Sequence, residues 1–150
     1  MGAKGDDELE TNREFYTQKG YQRQHGGLTE TMEDYLEMIC RCEEDTGYVR
    51  MQRLAERLHV QPSSASKMAS KLRALGYLEF EKYGLVTMTE KGRALGQALR
   101  RRHDILHRFF CLVNGTTDEL EQVEQVEHFI HPETVDNLER LTRRLEEEKP

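Results

Sequence analysis

Two short amphipathic segments separated by a three-residue turn constrain the fold of this chain most strongly. The segments are Met51–Leu58 and Pro62–Ala74, and His59-Val60-Gln61 lies between them. Proline is tolerated in the first turn of a helix, and Gly76 favours a helix end, so the second helix has defined bounds. Two helices joined in this way form a helix-turn-helix, although a generic helical hairpin has the same pattern.

Residues 78–89 favour a helix-turn-helix over a generic helical hairpin. Leu78–Lys82 and Leu85–Thr89 alternate apolar and polar residues as β-strands do, and Tyr83-Gly84 supplies the turn between them. A helix-turn-helix followed directly by a β-hairpin is a winged helix. The predicted fold is therefore mainly α with a small β-hairpin, in which an N-terminal winged helix-turn-helix precedes an all-helical domain.

Helical periodicity fills most of the remaining chain. Apolar residues recur at helical spacing on both sides of the winged region, and Thr29 and Thr89 are suitable N-caps. We expect a flexible, polar extension over residues 1–27, a winged-helix domain over 28–93 and a helical domain over 94–150. Four further helices are predicted. The first runs from about Thr29 to Glu44 and the second from Glu90 to Val113. The third covers Leu120–Ile130 after a Thr116-Thr117 cap, and the fourth runs from Pro132 to about Glu146.

Charge is distributed unevenly along the chain. The net charge is −6, yet residues 49–108 carry 13 basic and 5 acidic side chains, a net charge of +8. The flanking residues 1–48 and 109–150 each have a net charge of −7, from 5 basic and 12 acidic and from 4 basic and 11 acidic side chains. A basic middle indicates that this part alone binds a polyanion, which for a winged helix is double-stranded DNA.

Acidic residues and a histidine lie together in the acidic C-terminal part. On one helix, Glu124, Glu127 and His128 share a face. Carboxylates and an imidazole without a thiolate suit a borderline-hard divalent ion such as Mn²⁺ or Fe²⁺. Asp34 and Glu37 are also three residues apart and are either two more ligands or ordinary surface acids. A solvated acidic face with a stray histidine explains the first group equally well.

Several separated motifs resemble the diphtheria toxin repressor family, and within it the manganese transport regulator branch. They are Met32–Glu37, Val60–Met68, Glu79–Val86, Arg102-His103 and Val126–His128, in the same order as in that family. The resemblance covers about residues 29–145. It implies a metal-responsive, homodimeric repressor of metal-uptake genes whose residues 94–150 bind metal and form the dimer.

The resemblance also implies the metal ligands. They fall on Asp34, Glu37, His103, Glu124, Glu127 and His128. Four carboxylates in a small volume require about four compensating charges, so we expect two Mn²⁺ ions per chain, with Fe²⁺ or another divalent ion as alternatives. Binding of the ions is expected to hold the first helix to the two later helices and so favour operator binding. Binding should weaken near pH 6 if the histidine pKa values are ordinary.

The predicted DNA-binding residues lie on the second helix of the helix-turn-helix and around it. Lysines and arginines would contact phosphates, small hydroxyl-bearing residues would approach a groove, and two dimer-related helices about 34 Å apart would contact a palindromic operator. The full set is Arg50, Gln61, Pro62, Ser63, Ser64, Ser66, Lys67, Lys71, Lys82 and Tyr83.

Two other classes of function compete with this prediction. A carboxylate-bridged di-metal oxidase normally has two Glu-x-x-His motifs, and this chain has a single Glu-x-x-Glu-His and a wing, so we expect no enzyme. A winged-helix regulator without metal dependence, responding to a small molecule or a redox signal through Cys40 and Cys42, is the alternative. The absence of an export signal or a membrane-length apolar run favours a cytoplasmic protein with no membrane partner and no small-molecule substrate.

Overall fold

A computed structural model of the chain describes residues 28–148, so the predicted flexible extension over residues 1–27 lies outside the described part. Within residues 28–148, no helix is long and apolar enough to cross a membrane. The helices are α1 (Glu30–Thr46), α2 (Met51–Leu58), α3 (Pro62–Ala74), α4 (Glu90–Asn114), α5 (Leu120–Val126) and α6 (Pro132–Glu147). The strands are β1 (Val49–Arg50), β2 (Leu78–Phe80) and β3 (Leu85–Met88), and Lys82–Gly84 and Glu127–Phe129 are 3-10 turns.

Local capping fixes the ends of α1 and the start of α4. The Thr29 hydroxyl accepts a hydrogen bond from the Met32 amide at 3.2 Å. The Thr89 hydroxyl likewise accepts from the Gly92 amide at 3.0 Å. Gly47 ends α1 with φ 80°, a left-handed conformation that glycine adopts without steric cost. The predicted start of both helices is therefore confirmed, and α1 extends to Thr46, two residues past the predicted Glu44.

Helices α2 and α3 form the predicted helix-turn-helix. His59 ends α2 with φ 55°, and α3 begins at Pro62. Ala65, Ala69 and Leu72 of α3 are fully buried in one core with Leu54 of α2. The opposite face of α3, which includes Ser63, Ser64 and Lys67, is exposed.

The wing is a sheet of three strands, ordered β1-β3-β2, and not only the predicted hairpin. Strand β3 pairs antiparallel with β2, with Leu78 opposite Met88, and with β1, with Val49 opposite Val86. Two residues are too few to show alternation, so the sequence gives no sign of β1. At the wing tip, Tyr83 has φ 64° and is 89% exposed.

Helix α4 connects the winged helix to the C-terminal helices. Near its start it packs closely on its neighbours, because Gly92 faces the Tyr77 backbone just before β2 and Gly96 faces the Cys40 side chain of α1. Further along, Ile105 and Leu106 are buried, where α4 packs against α5 and α6. The predicted domain boundary at residue 93 falls inside this continuous helix.

The predicted helix over Leu120–Ile130 is wrong in its second half. Helix α5 ends at Val126, a 3-10 turn covers Glu127–Phe129, and Ile130 is extended. Its N-cap is Glu119 and not the predicted threonines. The tighter turn buries Glu127 and His128 towards α1 and α4, so they do not share a regular α-helical face with Glu124.

Candidate metal centre and nucleic-acid interface

Side chains from α1, α4 and the turn after α5 converge in two groups that could each hold a metal ion. One group is Asp34, Glu127 and His128, and the other is Glu37, His103 and Glu127. Within each group the potential ligand atoms lie within 4.8 Å of one another. Glu127 belongs to both groups, and its side chain is only 3% exposed.

The two oxygens of Glu127 face different imidazole rings. Oε2 is 2.9 Å from His103 Nδ1, which is also 3.9 Å from Glu37 Oε1. Oε1 is 3.8 Å from His128 Nε2, which is 3.1 Å from Asp34 Oδ1. Glu127 would therefore contribute one oxygen to each group if both groups held a metal ion.

Glu124 is the one predicted ligand that the structure does not place in either group. It is exposed on α5 and lines a cleft of about 430 Å³ together with Asp34, Glu37, His103 and Glu127. Five of the six predicted residues therefore come together directly, and the sixth borders the same cleft. Their role as ligands stays a prediction.

Burial, hydrogen bonds and nearby charges shift the pKa values of the two histidines and of one acid in this site. Burial lowers the pKa of His128, but hydrogen bonds to Asp34 and Glu33 outweigh burial and raise it to about 10. A hydrogen bond with Glu127 raises the pKa of His103. Burial raises the pKa of Glu37 despite its hydrogen bond from Arg41, at 2.8 Å. Cations that bind here must displace the histidine protons, so the expected weakening near pH 6 moves to higher pH.

The donor set fits a borderline-hard divalent ion. It consists of carboxylate oxygens and two imidazoles. These donors suit Mn²⁺ or Fe²⁺ better than they suit an ion that prefers thiolate ligands. Cys40 and Cys42 lie in the core of the winged helix and not in the site. Cys111 lies 3.6 Å from His107, whose Nε2 accepts a hydrogen bond from the Glu119 amide and so helps to hold the start of α5.

Sequence reasoning missed two residues beside the site. Glu33 and Arg102 contact His128 from the side opposite Asp34, with Glu33 Oε1 at 3.0 Å and Arg102 Nη2 at 3.4 Å from Nδ1. Each immediately precedes a predicted ligand, but neither position is marked by a spacing rule. Only the tertiary fold brings Glu33 within reach of a ring 95 residues away in sequence.

The predicted nucleic-acid surface is exposed throughout. All ten residues assigned to it are classed as exposed, from Arg50 beside β1 through the outer face of α3 to Tyr83 at the wing tip. The Arg50 guanidinium lies 5.9 Å from the centre of the Tyr48 ring. Exposed side chains of α3 and the wing on one module can approach a duplex together, and their individual contacts stay a prediction.

Comparison with known proteins covers nearly all of the described chain. Residues 27–86 match the iron dependent repressor N-terminal DNA binding domain, and residues 89–149 match the iron dependent repressor metal binding and dimerisation domain. The HTH-type transcriptional regulator MntR of Geobacillus kaustophilus (strain HTA426) is 38% identical over 122 residues, which are 81% of this chain and 86% of that protein.

Solved structures with similar folds include two manganese-linked regulators. The manganese regulator SloR superposes with a TM-score of 0.66 at 25% identity over 75% of this chain. A manganese-dependent transcriptional repressor in complex with manganese gives a TM-score of 0.64 at 30% identity, also over 75% of this chain. The match spans only about half of those two chains, 53% and 52%.

Proposed function

The chain belongs to the iron-dependent repressor family and is a metal-dependent, DNA-binding transcriptional regulator, and we propose that the metal to which it responds is Mn²⁺. The observation that carries this proposal is the pair of ligand groups joined by Glu127. Oxygen and imidazole donors match the preference of Mn²⁺. The HTH-type transcriptional regulator MntR of Geobacillus kaustophilus is 38% identical, and a manganese-dependent transcriptional repressor has a similar fold at 30% identity.

Two ions per chain is the stoichiometry that the site supports. Asp34 and His128 would hold one ion, Glu37 and His103 the other, and Glu127 both. Glu124 borders the cleft and completes the six predicted ligands if its side chain turns inward. When bound, two divalent ions would supply positive charge to the four carboxylates among the predicted ligands.

The ligands connect the DNA-binding module to the C-terminal helices. Helix α1 contributes Asp34 and Glu37 on one face, and Leu36 and Ile39 of the same helix are buried in the core of the winged helix. Ligands on α4 and after α5 belong to the matched metal-binding and dimerisation domain. Joint ligation therefore restricts how α1, and with it the winged helix, is held against that domain. Coupling between two such sites is typically about 1–3 kcal/mol, or 5 to 150-fold in affinity.

Dimerisation extends this restriction to two recognition helices. The matched dimerisation domain supports a homodimer, and a two-fold dimer presents α3 twice, which suits a palindromic operator with half-sites about 34 Å apart. Phosphate contacts from Lys67, Lys71, Lys82 and Arg50 would supply much of the affinity, so DNA binding should fall steeply with salt. Metal-uptake genes are the proposed targets and the cytoplasm the proposed location.

The test is metal-dependent binding to a duplex selected by the protein itself. The full chain is used with Mn²⁺ to select tight binders from a random duplex library, and affinity is then measured by fluorescence anisotropy with Mn²⁺ or with a chelator. We expect Mn²⁺ to strengthen binding 5 to 150-fold, and Glu127→Ala to abolish this difference. Glu121→Ala, which removes an exposed acid of α5, is the matched control. Equal affinity with Mn²⁺ and with chelator in the unmodified chain would contradict the proposal.

The alternative of a redox-responsive or metal-independent regulator lacks comparable support. Cys40 and Cys42 are 1% and 3% exposed within the core of the winged helix. The matched relatives are transcriptional regulators, and enzymatic turnover is not part of the proposed function.

A further inference from the structure

Three polar side chains form a chain of contacts behind the proposed metal centre. His128 Nδ1 lies 3.0 Å from Glu33 Oε1, and Glu33 Oε2 lies 3.5 Å from Arg102 Nη1. The side chains are 5%, 17% and 12% exposed for His128, Glu33 and Arg102. Bulk water is therefore largely excluded from these contacts, and each group depends on the others for its hydrogen bonds.

The two nitrogens of His128 face different environments. Nδ1 faces Glu33, whereas Nε2 faces Asp34 at 3.1 Å and Glu127 at 3.8 Å. A histidine binds a metal through a nitrogen that carries no proton, so ligation at Nε2 requires the remaining proton to be on Nδ1. Glu33 accepts that proton in a hydrogen bond, which stabilises the metal-competent tautomer and fixes the orientation of the ring.

Arg102 makes the choice of tautomer depend on Glu33. Its Nη2 lies 3.4 Å from His128 Nδ1, and its Nε is buried without a hydrogen-bond partner among residues 28–148. A guanidinium only donates hydrogen bonds. Without the Glu33 carboxylate, Arg102 would donate to an unprotonated Nδ1, and the ring proton would then be on Nε2, which faces the metal centre.

We infer that Glu33, held by Arg102, is a positioning residue that selects the Nδ1–H tautomer of His128 and thereby sets the affinity of the ion bound by His128 and Asp34. This inference rests on the proposed function and adds two residues outside the six predicted ligands. Loss of such a partner typically weakens metal binding 10 to 100-fold. The second ion, proposed at Glu37 and His103, should be affected less.

The choice of variants follows from the space behind the ring. A cavity of about 220 Å³ lies there, lined by Leu28, Leu99 and Val135 among others and by the three polar residues. Glu33→Leu fills similar volume without an acceptor, so water is less able to replace the carboxylate. Glu33→Gln keeps a carbonyl acceptor for Nδ1–H. Glu44→Leu is the matched control, because Glu44 is an exposed acid three turns further along α1 that pairs with Arg100.

The experiment is a titration of the full metal-free chain with Mn²⁺, in which electron paramagnetic resonance measures the free ion. We expect two ions in the unmodified chain. In Glu33→Leu, one of them should bind 10 to 100-fold more weakly, with a smaller loss in Glu33→Gln and none in Glu44→Leu. The second readout is the nitrogen shifts of the histidine rings, measured by long-range ¹H–¹⁵N NMR on the chain loaded with diamagnetic Cd²⁺. At a Cd²⁺ concentration that saturates the unmodified chain and leaves the His128 site of Glu33→Leu largely empty, the ring proton should be on Nδ1 in the unmodified chain and on Nε2 in Glu33→Leu.

Each outcome decides between the inference and the proposed function. Absence of Mn²⁺ binding in the unmodified chain would contradict the proposed function itself. Two ions in the unmodified chain, with unchanged affinity and tautomer in Glu33→Leu, would overturn only the inference. An equal loss in Glu44→Leu would also overturn it, because a general loss of acidic charge would then explain the effect. If Glu33→Leu does not fold, the same criteria apply to Glu33→Gln, whose affinity must be below that of the unmodified chain.

Discussion

Proton competition at His128 should make Mn²⁺ binding depend strongly on pH. Hydrogen bonds from His128 to Glu33 and Asp34 raise its pKa to about 10 in the metal-free chain. An ion that binds Nε2 must displace a proton from this ring. At pH 7, three units below that pKa, the competition weakens binding by about a thousandfold, or about 4 kcal/mol. Affinity for this ion should therefore rise about tenfold per pH unit between pH 6.5 and 8.5.

The same pKa shift has the opposite effect on the stability of the metal-free chain. The pKa of His128 is higher in the folded chain than the ordinary value of about 6.5, so protonation stabilises the fold. That contribution is complete below about pH 6.5 and is lost as the pH rises through about 10. Thermal unfolding of the metal-free chain should thus shift to lower temperature over the range in which Mn²⁺ affinity increases.

The assay combines affinity and proton release. Mn²⁺ affinity is measured by competition with a chelator at half-unit steps of pH, and calorimetry in two buffers of different ionisation enthalpy counts the protons released. At pH 7 we expect about one proton from His128, and a further fraction from His103, whose pKa is also raised. An affinity that is constant between pH 7 and 8.5, with less than half a proton released, would contradict this prediction, because His128 would then be neutral before the metal binds.

Three further predictions concern ligation, packing and DNA binding. Glu127→Ala should abolish high-affinity binding of both Mn²⁺ ions, whereas Asp34→Ala should weaken the binding of mainly one ion, because Glu127 belongs to both ligand groups and Asp34 to one. Equal effects of the two substitutions in equilibrium dialysis would contradict the shared role of Glu127. Gly92→Ala would place a Cβ atom 2.0 Å from the Tyr77 carbonyl oxygen and should destabilise the fold by about 1–3 kcal/mol. An unchanged melting temperature in this variant would contradict the prediction. Lys71→Ala should weaken DNA binding similarly across sequences and reduce the salt slope by about one, and a change in sequence preference alone would argue for base contact.

Much of the fold follows from local sequence signals. Thr29, Thr89 and Pro62 mark helix starts through hydrogen bonds or backbone restriction that operate within a single turn, so the sequence suffices to place them. The end of α5 was not predictable in this way. Val126 and Ile130 continue the apolar periodicity, but the 3-10 turn between them places Glu127 in a buried position beside α1 and α4.

The candidate site shows the same division between local and tertiary information. Ligand-competent side chains at Asp34, Glu37 and His128 are visible in the sequence as types and spacings. Glu127 faces two imidazole rings and Glu33 contacts His128. Both arrangements depend on the packing of α1 against α4 and on the turn after α5. The Glu33–His128 contact joins residues 95 positions apart and the Glu127–His103 contact residues 24 positions apart, so no local periodicity specifies them.

The number of Mn²⁺ ions that each chain binds at neutral pH tests the proposed metal centre most directly. Equilibrium dialysis of the purified full chain against Mn²⁺ supplies this count, with Glu127→Ala and Glu121→Ala dialysed in parallel. We expect about two ions in the unmodified chain and in Glu121→Ala, and fewer in Glu127→Ala, because two ligand groups share one carboxylate. No bound ion, or two ions that persist in Glu127→Ala, would show that the proposed centre is wrong.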